Sequence, residues 1–188
     1  LWITTATFAG NGSGAIRMDP RSIFGQFGTL SATGSLINGI DVLSGSVGQP
    51  RSWLKGLPYV IRSGEVVFTG GGSLTMRPGA VVKLKGVNNG TLGAVRFSGG
   101  ILNAAGTSAE PAVFTSLRDD AFGGDTNNDG SATLPAKSDW HGIRLLTASA
   151  VHSLDHVVVR YSGALNGGAA DRSFYLSNST ATINNSEL

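Results

Sequence analysis

The apolar positions of this chain come in short runs, never at the i, i+3, i+4, i+7 spacing of an amphipathic helix. Glycine, serine, threonine and asparagine interrupt every window long enough to show one. The runs are Val66–Phe68, Leu74–Met76, Val81–Leu84, Ala94–Phe97, Ala112–Phe114, Ile143–Leu146, Val157–Val159 and Thr182–Ile183. Most are β-branched or aromatic and are bounded by Gly, Asn, Pro or Ser, the chemistry of strand ends and turns. The pattern predicts an all-β chain of short strands.

Their recurrence, every 14 to 18 residues or so, is too close for crossovers that carry helices. Only Asn89–Gly90 places a two-residue hairpin turn between matched alternating strands, where a sandwich built of hairpins would carry several. A parallel β-helix solenoid fits the spacing better, with two or three strands per coil and one inward row stacked on the next. The expected inward row is Val81, Val95, Val113, Ile143, Val157 and Ile183. Leu154–Tyr161 reads as the clearest strand, with Val157, Val159 and Tyr161 inward and His156, Val158 and Arg160 outward.

Three segments depart from this rhythm. Thr115–Trp140 is polar, acidic and glycine-rich, and reads as a loop protruding from the solenoid wall. Residues 1–50 have sparse charges and weak alternation at Ser22–Phe24 and Ser35–Ile37. They read as an N-terminal β cap or as the tail of a preceding β-sandwich domain, with a boundary at Gln49–Ser52. The solenoid is then 51–188. Its last segment, Leu176–Leu188, looks like an ordinary mid-solenoid coil, so its open edge is expected to be continued by further domains of the same protein or covered by another copy.

Composition narrows the classes. Gly numbers 28 of 188 residues, charged residues are 14% and hydrophobic ones 40%, which excludes a disordered chain, and no Gly-X-Y period runs through it. The net charge of +2 comes from 14 scattered Lys and Arg against 12 acids, so no basic footprint for nucleic acid exists. Without cysteine there is no disulfide framework, thiolate zinc site or cysteine nucleophile. No apolar stretch is long enough to be a membrane span. Leu1 at the start suggests a processed product or a piece of a longer chain. The sequons at Asn11, Asn89, Asn178 and Asn184 are what chance gives in a chain rich in Asn, Ser and Thr.

From Pro58 onward several segments carry a resemblance. Ser73–Leu84 reads S-L-T-M-R-P-G-A-V-V-K-L, Gly99–Thr107 and Pro111–Ser116 form a second motif, and Asp119–Gly130 followed by Asp139–Ile143 a third. Together they resemble bacterial secreted and cell-surface proteins of the right-handed parallel β-helix, pectate-lyase-like superfamily. The resemblance implies a right-handed β-helix and a secreted or cell-surface bacterial setting. It covers adhesins, surface-layer proteins and polysaccharide-active enzymes alike. The closely spaced Asp pairs with a following His and Arg-Lys pair, typical of polygalacturonases, are missing here.

Asp125–Gly130 matches the first half of a calcium loop, D-x-[DN]-x-[DN]-G, in which alternate oxygen-bearing side chains converge on one hard cation. Position 12 is Ala136 rather than a bidentate Glu, so completion would fall to Asp119 or Asp120, with Asp125, Asn127, Asp129 and the Ser131 carbonyl making the rest of the shell. The plain alternative is a turn whose side chains cap their own backbone. His141 and Arg144 follow the loop, and His156 and Arg160 flank the next strand. Each pair is either solvated or a site for an anionic sugar, with Arg144 the one nearby base for a calcium-assisted lyase. His152 has no nucleophile to pair with. Thr-x-Thr occurs only at Thr5–Thr7 and Thr180–Thr182, too little for an ice-binding ladder. The expected function is a calcium-stabilised structural or adhesive module. The alternative is a lyase-like enzyme acting on acidic polysaccharide.

Overall fold

A run as short as Val66–Phe68 turns at glycine before it can fold back on itself, so it must find its partner a full repeat later in the chain. The computed structural model, which describes residues 1–26, 28–86, 93–146, 151–164 and 172–188, has this arrangement throughout. The chain makes a passage through β1 (Trp2–Ile3), β2 (Ala6–Ala9) and β3 (Gly14–Met18), then a second through β4 (Gly25–Gln26), β5 (Leu30–Thr33) and β6 (Ile37–Val42). Four more come after these: β7 (Gly45–Val47), β8 (Pro50–Trp53) and β9 (Tyr59–Ile61); β10 (Glu65–Phe68), β11 (Ser73–Met76) and β12 (Val81–Leu84); β13 (Ala94–Phe97), β14 (Ile101–Ala105) and β15 (Ala112–Ser116); β16 (Ile143–Leu145), β17 (Val151–Asp155) and β18 (Val157–Val159). The last strands are β19 (Phe174–Leu176) and β20 (Thr180–Asn184).

Every third strand enters the same sheet. β7, β10, β13, β16 and β19 form one five-stranded sheet, and β8, β11, β14, β17 and β20 a second. β3, β6, β9, β12, β15 and β18 form a six-stranded sheet, while β1–β4 and β2–β5 make two small ones. All strand pairings are parallel, and the described residues contain no helix. The fold is therefore all-β, with parallel strands in stacked sheets. β3 and β6 lie in the same sheet as β9, so the first fifty residues are joined by strand pairing to the rest of the stack. Gln49–Ser52, where the composition changes, runs into β8, which pairs with β11. Asn89–Gly90 lies outside the described residues.

Register explains the core. Val66, Val95 and Ile143 stand one above another, as do Phe68, Phe97 and Leu145, and the two phenylalanine rings stack at 5.0 Å. Tyr59, Val82, Phe114 and Val159 form another inward row on the six-stranded sheet. Each fully buried aliphatic side chain of this kind contributes about 1.5–3 kcal/mol.

Two expectations need correction. Val81 and Val113 face away from the inner cluster: they pair with each other in the row beside Val82 and Phe114, which point inward. Runs such as Val81-Val82 and Ala112-Val113-Phe114 are apolar on both faces, so their period-two phase is not written in the residues. Val95, Ile143 and Val157 do belong to the inner cluster, and Ile183 packs against it partly buried. Leu154–Tyr161 is not one strand either. His156 has φ 50°, turning the chain from β17 in one sheet to β18 in another, and Tyr161, with φ 60°, ends the alternation half-buried.

The Thr115–Trp140 segment is a loop from residue 117 onward, but it does not protrude. It folds back over the outer face of the six-stranded sheet. The Asn38 N–H donates to Thr126 O at 2.8 Å and Asn38 Nδ2 to Asp125 O at 3.0 Å. Gly39 permits that approach: a Cβ there would stand 2.8 Å from Pro58 O and 3.2 Å from Thr126 Cγ2.

Candidate functional site

The outer face of the six-stranded sheet carries Val60, Lys83 and Thr115 in register, one on each of β9, β12 and β15. An outward lysine would ordinarily be solvated. Here the loop covers it completely, and its Nζ donates to Gly124 O at 2.6 Å. Burial pushes the Lys83 ammonium down to about 8, against the field of Asp120, Asp119 and Asp125, with none of which it makes a direct ion pair. Lys83 thus stands as an internal cation beneath the acidic loop.

The six residues read from the sequence as calcium ligands divide by what their oxygens do. Asp119 is buried and committed: Oδ2 accepts from Thr115 Oγ1 at 2.6 Å and Oδ1 from the Ala121 N–H at 3.1 Å. Asp125 clasps its own loop, accepting from the N–H groups of Asp129 and Gly130 at 3.0 and 2.9 Å. Left-handed backbone at Asn128 (φ 55°) and Gly130 (φ 68°) makes that clasp geometrically open. Ser131 is exposed. Asp120, Asn127 and Asp129 differ, since each keeps one Oδ1 that is buried and has no hydrogen-bond partner among the described residues. Asn127 Nδ2 reaches Asp129 Oδ2 at 2.8 Å, which leaves both Oδ1 atoms free for another donor or a cation. Burial, with the neighbouring Asp125, Asp129 and Asp119, raises the pKa of Asp120 above the ordinary carboxylate value, and Lys83 opposes the rise. Among the described residues no three His, Asp or Glu side chains gather into a metal-binding group, so a shell here would draw on the Asn127 amide and main-chain carbonyls.

Asn127 and Asp129 also border a cavity of about 470 Å³ between the loop and the sheet, with Ile37 and Leu117 on its apolar side and Arg62, Lys85 and Arg118 as its cations. Two of these are already engaged. Arg62 holds Asp41 through a two-point contact at 3.0 and 2.6 Å, and Arg118 reaches Asp139 at 3.2 Å while Ser116 Oγ donates to the same carboxylate at 2.5 Å.

Arg144 lies elsewhere, on β16 of a five-stranded sheet, and His141 sits two residues ahead of that strand. Arg144 stands on the outer face directly beside Arg96 of β13, with Tyr175 of β19 on its other side. Glu65 serves both arginines, at 2.9 Å to Arg96 and 3.8 Å to Arg144. The Arg144 and Arg172 guanidinium groups sit 5.8 and 5.9 Å from the Tyr175 ring centre. His141 Nδ1 is 3.0 Å from Ala164 O, and burial lowers its pKa. His156 and Arg160 do not share a strand face. The former contacts Asp155 at 3.0 Å, while Arg160 clamps Glu187 at 2.5 and 2.9 Å and lies over Phe122 of the loop. Trp140 is fully buried at the loop's end and donates Nε1–H to Arg160 O at 2.8 Å.

Sequence reasoning passed over Lys83, Glu65, Arg96 and Tyr175. Lys83 had a signal, a lysine inside the apolar run Val-Val-Lys-Leu. The other three meet through register alone, which no local pattern encodes. Comparison with protein-family models, with curated proteins and with solved structures gives no match to this chain.

Proposed function

We propose that this chain is a right-handed parallel β-helix of the pectate-lyase-like kind and serves as a calcium-stabilised structural or adhesive module of a larger secreted or cell-surface bacterial protein. The observation that carries the reading is the strict recurrence of strands, one to each of three sheets in every passage from β7 to β18, around one apolar core. Such a stack gains stability by adding passages and offers long lateral faces for contact. The engagement of its surface cations supports the same reading: Arg62, Arg118, Arg144 and Arg160 each hold a carboxylate of this chain. β19 and β20 pair on one side only among the described residues, and further segments of the same protein or another copy dock there.

Calcium suits the loop's oxygen chemistry. Asp120, Asn127 and Asp129 bring the unpartnered oxygens, Asp125 keeps the loop wrapped, and main-chain carbonyls such as that of Ser131 complete the set. Lys83 neutralises the cluster from the sheet side. Titration calorimetry is expected to give saturable calcium binding, and chelation to lower the melting temperature. A flat titration at millimolar calcium removes calcium from the reading.

The second reading, a lyase-like enzyme acting on acidic polysaccharide, is favoured by the grouping of Arg96, Arg144 and Tyr175 on one sheet face, with His141 just ahead of β16. Incubation with uronic-acid polysaccharides and calcium, followed by ultraviolet absorbance, separates the two. No unsaturated product is expected, and its appearance would put the enzyme first.

A further inference from the structure

His152 is the one histidine of the described residues with no exposure at all, held in β17 between exposed Val151 and Ser153. Its Nδ1 accepts the main-chain N–H of Leu102 at 3.0 Å. The ring is therefore neutral with its proton on Nε2, and Nε2 is buried without a partner among the described residues. The bond stands in for strand pairing. Main-chain register between β14 and β17 begins at Asn103 and Ser153, so one residue earlier a side chain takes the Leu102 N–H where a strand carbonyl would otherwise accept it. The ring meets Phe97 edge-on at 5.9 Å.

No charged side chain faces it from the packed strands. Arg96 of β13 and Arg144 of β16 lie on the outer face with Glu65. β14 and β20 carry no ionisable residue. Asp155, at the far end of β17, is engaged by His156 and Asn185.

We propose that His152 is an acid-sensitive latch that joins β17, with β20 stacked on it, to β14. Protonation adds a hydrogen at Nδ1, which then confronts the Leu102 N–H donor to donor, and it places a positive charge with no counter-ion beside Phe97 and Leu102. Both changes act at the junction between β14 and β17. A stack couples each passage only to its neighbours, so a break at one junction loosens the passages beyond it and leaves the rest closed. Burial already lowers the His152 pKa. The latch is fully effective above the unfolded histidine value of about 6.5 and is lost as the pH falls below it toward the folded value.

Hydrogen exchange at pH 7.5 and pH 5, corrected for intrinsic rates, tests this on the intact chain. Amides of β17 and β20 are expected to lose about tenfold protection for each unit by which the His152 pKa is depressed, up to the roughly 1.5 units between the unfolded value and pH 5, while those of β10–β12 hold theirs. His152→Gln, whose side-chain oxygen can accept from Leu102 without titrating, is expected to abolish the difference. Long-range proton–nitrogen NMR of the native protein reads the tautomer directly, and keeps the test open if the variant does not fold. An Nδ1–H tautomer at pH 7.5, titration near 6.5 with unchanged protection of β17, or equal acid loosening in His152→Gln would each overturn the latch.

Discussion

Lys83 and Arg144 hold the same kind of position, a cation pointing outward from the middle of a short parallel strand between apolar neighbours. Their surroundings differ in one respect. The loop from residue 117 to 139 closes over Lys83 and leaves it no exposure, whereas Arg144 keeps 27% of its side chain in solvent and shares Glu65 with Arg96. One cation has become part of an interior held by a carbonyl and a diffuse acidic field. The other remains a surface ion whose attraction to Glu65 is screened. In a parallel stack the outer face is polar only where water reaches it, and a loop that lies back on the sheet converts a solvated residue into a buried one without changing the strand beneath.

Charge reversal breaks the comparison most strongly. Lys83→Glu would place a fourth carboxylate under Asp119, Asp120 and Asp125 and remove the buried ammonium that opposes them, a cost on the order of 3–5 kcal/mol. Arg144→Glu, at a solvated position, is expected to cost about 1 kcal/mol or less. Urea unfolding of both variants measures the gap. Equal losses would mean that the loop does not seal Lys83.

The pH dependence separates the two sites next. Because burial holds the Lys83 pKa at about 8 while the unfolded chain titrates near 10.5, the folded state binds fewer protons between those values. Stability from this group therefore rises as the pH climbs from about 8 to about 10.5, by on the order of 3 kcal/mol at most. The Lys83→Met variant should lack the rise, and Arg144→Met should keep it. Denaturant midpoints across that window decide, and a Lys83→Met curve parallel to the parent's would refute a buried, depressed ammonium.

Gly39 tests how closely the loop must seat. An added Cβ would meet Pro58 O and the Thr126 methyl, with backbone on one side and a buried side chain on the other, so Gly39→Ala should cost about 1–3 kcal/mol. The loss should appear as faster exchange of the Asn38 N–H, which is bonded to Thr126 O. An unchanged rate would show the loop to be held by other contacts.

The strand runs were legible because β-branched and aromatic residues between glycines have few alternatives. All eight expected runs fall on strands, from Val66–Phe68 in β10 to Thr182–Ile183 in β20, with Leu146 alone lying one residue past the end of β16. What stayed hidden was everything set by register. Val81 and Val82 are equally apolar, and only pairing with Val113 and Phe114 decides which one enters the core. The acidic loop was legible as a feature, since Asp125–Gly130 has the spacing of a turn that clasps its own amides. Its seat on Asn38 and Lys83 was not, because those contacts join residues distant in sequence through a sheet that must form first. Residues 1–50 lacked the long apolar runs, and β1, β2 and β5 are correspondingly short and partly exposed.

The smallest effect concerns Glu65, which serves two arginines at unequal distances. Its carboxylate lies 2.9 Å from Arg96 and 3.8 Å from Arg144, and all three side chains are about one third exposed. Geometry therefore assigns most of the pairing to Arg96, and solvent caps it at about 0.5–1 kcal/mol, with the Arg144 coupling a few tenths at most. Arg144 instead spends its guanidinium on the Tyr175 ring, a contact that salt screens less than a surface ion pair. Double-mutant cycles of Glu65→Gln with Arg96→Met and with Arg144→Met, and of Tyr175→Leu with Arg144→Met, run at low and at molar salt, resolve the two. The Glu65–Arg96 coupling should shrink with salt while Tyr175–Arg144 coupling persists. The reverse order would mean that Arg144 is the principal partner of Glu65 and that its outward position is less solvated than its exposure suggests.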